Sequence, residues 1–171
     1  TISYVVAIIC FSYSFSLVGH SAELGGVAKW LLAFHIFTVS WWMGALPPLW
    51  ISCKLLQPPA LYKLMYLFGQ IAMFMVGLLI VCGIGLLFLF LTYPLELFTT
   101  TYGLAMLLKL IFVVGILCIA AYHKLHLVEE IQQESGIKKL QHSLKNEILI
   151  AAIILAVTAV ISCILGPVSL V

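Results

Sequence analysis

LAMLLKLIFVVGILCIAA, residues 104–121, is an apolar stretch interrupted once, by Lys109. A run of this length and composition reads as a helix crossing a bilayer, whose hydrocarbon core takes about 20 apolar residues to span. An ionisable side chain at that depth costs a few kcal/mol or more, so it points to a functional site. His35 interrupts a second such run that begins at Trp30.

The rest of the chain is of the same kind. Mean hydropathy is +1.23, and 64% of the 171 residues are hydrophobic against 8% charged, far below the roughly one quarter usual in soluble domains. Apolar runs cover residues 2–18, 30–53, 61–92, 102–127 and 148–165. Backbone groups in lipid must be bonded within their own segment, and strand-like alternation is missing. The expectation is an all-α integral membrane bundle of about five transmembrane helices, a single unit over residues 1–171. The chain opens at Thr1 inside an apolar stretch, which we read as a trimmed start with further helices expected upstream.

All eight cations are lysines, and the net charge is only +2, so a nucleic-acid-binding surface is excluded. Lys54, Lys63, Lys124, Lys138, Lys139 and Lys145 fall in the connections at one end of the runs, and Lys29 falls at the other. By the positive-inside rule the lysine-rich end is cytoplasmic, and His20 emerges on the periplasmic side. The mixed-charge segment 123–147 has helix-like spacing and reads as a solvated extension of the fourth run leading into the fifth.

Several residues could carry chemistry. Helical rise puts both His35 and Lys109 roughly 8 to 11 Å below the outer boundary, where they could meet inside the bundle. His20 closes the first run, with Glu23 three residues on. Neutral imidazoles are good ligands for copper or zinc, and a nearby carboxylate can orient a ring or add an oxygen. Pro47 and Pro48 remove backbone donors and free acceptors near Met43 and Gly44. A packing kink explains them as well as a lined passage does. His123 and His126, at i, i+3, could form an inner exit site for a metal. The cysteines fall one per run without CxxC spacing, so no disulfide framework is indicated. Gly69, Met73 and Gly77 form a stripe suited to close helix approach. Trp42 belongs to a deep tryptophan pair with Trp41, which could wall a cavity or pack on a ring-shaped cofactor. No nucleophile–base pair, HExxH or phosphate-cradling loop occurs, and the chain is not expected to be an enzyme.

The segments FSLVGHS at 15–21, LAFH at 32–35 and WMGALP at 42–47 resemble the CopD (copper resistance D) family of bacterial inner-membrane proteins. Tyr102-Gly103, Leu108-Lys109-Leu110, the stretch LQHSLKNE at 140–147 and the closing Gly166-Pro167 are similar to it too. The resemblance implies copper transport or handling at the cytoplasmic membrane, beside a periplasmic copper-binding partner of the CopC type. Association into homo-oligomers is compatible with it. It carries the metal-ligand role onto His20 and His35, with Glu23 and Met43 in support. Where the family often has Asn-Arg, this chain reads His123-Lys124, which puts an inner-side role taken from the family in doubt.

Phe34-His35-Ile36, Trp42-Met43-Gly44, Lys109, Tyr122-His123 and Asn146-Glu147 also resemble the bacterial membrane protoporphyrinogen oxidase family. That likeness implies haem b, with His35 as an axial ligand, Lys109 as an opposing ligand or propionate partner, and Trp42 against the macrocycle. A non-catalytic assembly or interaction subunit is the third reading.

Overall fold

The computed structural model describes residues 2–15, 25–91, 93–132 and 134–164. Six α-helices make up the described chain: α1 (Ile2–Phe15), α2 (Gly26–Leu55), α3 (Pro58–Phe90), the one-turn α4 (Glu96–Thr99), α5 (Thr101–Tyr122) and α6 (Glu134–Ile164). A π turn (His123–Leu127) and a 3-10 turn (Glu129–Gln132) join α5 to α6. The all-α membrane bundle expected from hydropathy is what forms. Among the described residues, four helices are long and apolar enough to cross a bilayer, spanning Gly26–Leu55, Pro58–Phe90, Thr101–Leu127 and Ser135–Ser162. The first apolar run is described only as α1, and its continuation lies outside the described residues.

Local chemistry sets the corners. Pro58 and Pro59 occupy the first turn of α3, where the missing N–H has no intrahelical partner to lose and the fixed φ suits a helix start. The proline pair thus separates α2 from α3 with only Leu56 and Gln57 between them. At the other end Thr100 caps α5: its Oγ1 accepts from the Gly103 N–H at 2.9 Å and donates to the Glu96 carbonyl at 2.9 Å. Gly103 is required there, because a Cβ would run into the Glu96 carbonyl and the Leu97 backbone. Gly136 likewise lets the 3-10 turn close onto α6, its missing Cβ leaving room for the Glu130 carbonyl.

The core lies toward the lysine-rich end. Trp42, Leu46, Leu49 and Cys53 form the buried stripe of α2 and pack with Leu61 and Met65 of α3, Ile116 of α5, Leu127 and Ile131 of the turns, and Leu140, Leu144 and Ala151 of α6. Their spacing is that of one helix face. Elsewhere the large apolar side chains face outward, Phe74 and Phe88 at 72% and 71% exposure among them. An acyl-chain solvent accepts such a surface.

Candidate functional site

His35 sits where α2 packs on α3. Leu31 and His35, one turn apart on α2, face two glycines of α3. A Cβ on Gly85 would lie 3.0 Å from Leu31 Cδ1, and one on Gly83 would lie 3.4 Å from His35 Cε1 and 3.6 Å from Nδ1. The Cε1–Nδ1 edge of the imidazole therefore packs against bare helix backbone, near the Leu79 carbonyl one turn earlier on α3. Lys109 of α5 acts electrostatically on the same ring. Sequence reasoning left His35 and Lys109 able to meet inside the bundle; Gly83 and Leu79 it missed, because their role is visible only as an absent side chain and a backbone oxygen.

The ring is held but not saturated. Thr38, 1% exposed, sets its hydroxyl 2.9 Å from the His35 carbonyl and 3.0 Å from that of Phe34. This back-bonding satisfies a buried hydroxyl on the same face of α2. His35 Nδ1, by contrast, is buried and has no hydrogen-bond partner. A buried polar atom left unpaired costs about 1–3 kcal/mol, so the nitrogen is either a stability defect or a ligand position.

The other expected ligands are placed differently. His20 and Glu23 lie outside the described residues. Met43 is half-buried against the core, and eight residues of helical rise, roughly 12 Å, separate it from His35. Met43 and His35 therefore do not share one coordination sphere. Gly44, Pro47 and Pro48 are exposed on the outer face of α2, so the proline bend is turned away from the bundle interior. Trp42 is buried among the core side chains, where it packs. Trp41 stacks on Phe68, ring centroids 5.5 Å apart.

At the opposite end, His123 and His126 do not share a face. The π turn that contains them closes with Val128 N–H donating to the His123 carbonyl at 3.0 Å, and a turn widened to i→i+5 rotates the i, i+3 pair apart. His123 is buried, while His126 is exposed and tilted against Tyr122, 5.4 Å between ring centroids. His123 Nδ1 instead lies 3.0 Å from Glu147 Oε1, the carboxylate being 2% exposed. The ring N–H is not aimed along that line, and Glu147 Oε1 and His123 Nε2 both lack a hydrogen-bond partner. The pair is thus a close contact of two ionisable groups rather than a straight hydrogen bond. Met73 of the small-residue stripe accepts from Lys124 Nζ at 3.2 Å, and the Lys124 stem lies 3.8 Å from where a Gly69 Cβ would be. Its sulfur is engaged by an ammonium. Among the described residues, no group of three or more His, Cys, Asp or Glu side chains is arranged to hold a metal ion.

The family model described as copper resistance protein D matches residues 62–161. That match takes in α3, α5 and most of α6, and with them Gly83, Lys109, His123 and Glu147. No curated protein and no solved structure matches the chain.

Proposed function

The chain belongs to the copper resistance protein D family, and from that premise we propose that it carries copper across the bacterial cytoplasmic membrane, with His35 as the buried ligand on the path. The observation that carries this reading is the unpartnered, enclosed Nδ1 of His35. It sits between α2 and α3 in the half of the bundle away from the lysine-rich end. An imidazole nitrogen without a hydrogen-bond partner can serve as a copper ligand. His20 and Glu23 are the proposed capture residues on the periplasmic side, where a CopC-type protein would deliver the ion. Met43, a full two turns deeper, would serve as a later station rather than as part of the same site.

Lys109 is the proposed gate. An ammonium and a copper cation facing one ring repel each other. Copper at His35 and a proton on Lys109 are therefore antagonistic, which couples entry of the metal to departure of the proton.

The test is metal analysis and copper uptake with His35→Ala and His35→Gln. Loss of bound copper and of uptake in both variants, with folding retained, is the expected result. Copper handling equal to wild type in both would remove the proposal. A Soret band in the purified protein that disappears in His35→Ala would replace it with the haem-linked reading, which uses the same His35 and Lys109.

A further inference from the structure

At the lysine-rich end, the close of α5 and the middle of α6 bring a second pair of donor atoms together. His123 opens the π turn directly after α5, and Glu147 ends the polar part of α6 just before the apolar run at Ile148. His123 Nδ1 and Glu147 Oε1 stand 3.0 Å apart, and the two residues are buried, at 8% and 2% exposure. A widened turn of this kind is frequent at functional sites. Here it turns His123 inward and leaves His126 exposed.

Neither group satisfies the other. Glu147 Oε1 and His123 Nε2 are both buried without a hydrogen-bond partner. Among the described residues no lysine pairs with Glu147: Lys124 donates to Met73 at 3.2 Å, Lys139 donates to Glu130 at 2.9 Å, Lys138 is engaged as well, and Lys63 and Lys145 stand exposed. A buried carboxylate ordinarily pairs with a cation or coordinates a metal. The spacing suits a metal, because two donors with bonds of roughly 2.0–2.1 Å to one ion, meeting there at about a right angle, stand about 3 Å from each other. Such an ion lies off the line joining the two atoms, which is where a ring nitrogen not aimed at the carboxylate can reach it. A right-angled pair of nitrogen and oxygen donors belongs to tetragonal coordination, the geometry of divalent copper, whereas Cu(I) selects thiol and thioether sulfur.

An open cleft of about 480 Å³ lies beside the pair: Tyr122 and Leu127 on its wall bracket the π turn, Ser143 is one turn before Glu147 on α6, and Lys138, Lys139 and His142 complete the lining. We propose that His123 and Glu147 form a divalent copper site at the cytoplasmic mouth of the bundle, the last station before the ion is released. Its cargo is that of the transport reading, on which it rests. Nδ1 and Oε1 fill two coordination positions and water fills the others, an open arrangement suited to passage rather than storage.

Electron paramagnetic resonance of the detergent-solubilised full chain titrated with Cu2+ tests this, with affinity measured by chelator competition. A tetragonal signal with nitrogen coupling is expected. Glu147→Gln and His123→Gln should each weaken the binding behind it roughly tenfold or more, at least the loss that follows removal of a ligand's outer-shell partner. His126→Gln with His142→Gln removes two exposed imidazoles from the same end and should leave that binding unchanged. Equal loss in this double variant would mean an adventitious ion only and overturn the site. Unchanged Cu2+ binding in Glu147→Gln and His123→Gln would make the pair a structural contact and overturn it too. The transport reading fails separately: it falls if His35→Gln and His35→Ala keep wild-type uptake, whatever the signal at His123 does.

Discussion

Gly83 of α3 meets His35 of α2 ring to backbone: the position its Cβ would occupy is 3.4 Å from the imidazole Cε1. The orientation of the candidate ligand is thus set by a residue with no side chain. That distance is ordinary van der Waals contact, which separates two substitutions. Gly83→Ala should be accommodated with little change in copper uptake. Gly83→Val should push the ring off the α3 backbone and cut uptake by roughly tenfold or more, with thermal unfolding in detergent shifted by only a few degrees, the scale of a local packing change.

Replacing the gate should loosen discrimination against the cation. Lys109→Met keeps most of the stem but removes the charge, and copper affinity measured by competition with a chelator should rise roughly tenfold, the scale of one like-charge repulsion near a protein site. Affinity that falls instead would mean Lys109 supports the site rather than opposing its occupant.

His123 and Glu147 should behave as a unit. Removing His123 leaves a carboxylate that is 2% exposed without its neighbour, and His123→Ala should destabilise the bundle by about 3 kcal/mol. Glu147→Gln in the same background should recover part of that loss, because the buried charge is gone. Unfolding in mixed micelles titrated with SDS, run as a double-mutant cycle, gives the coupling; additive single effects would show that the 3.0 Å approach carries no energy.

Gly103→Ala should open the corner between α4 and α5. The new methyl would run into the Glu96 carbonyl, and that carbonyl also accepts from Thr100 Oγ1 and from the Thr100 backbone N–H at 3.1 Å. A loss of about 2 kcal/mol or more in the same unfolding assay is expected, with proteolysis appearing between Tyr93 and Thr101.

Hydropathy alone made the fold legible, since a helix in lipid bonds its own backbone and leaves few alternatives. Pro58-Pro59 marked the α2–α3 break for a reason that survives in the structure. Counting rise along two helices put His35 and Lys109 at a similar depth. What could not be read were the features that depend on phase. The single extra residue in the His123–Leu127 turn rotates His126 away from His123, and no pattern of residue types announces it. Whether Pro47 and Pro48 face the interior or the lipid is also a matter of rotation about the α2 axis, and a helix surrounded by apolar partners on every side gives a weak signal of it. Trp50 and Lys54 line one open cleft with Lys145, some ninety positions later in the sequence, and only the packing of α2 on α6 brings them together.

The π turn implies that this part of the chain is one residue out of step with a continuous α-helix. Deleting Leu125 would restore the ordinary pitch and swing everything after it by about a quarter turn, carrying the whole of α6 with it. The turn therefore acts as an indexing device: it sets the phase at which α6 meets α2.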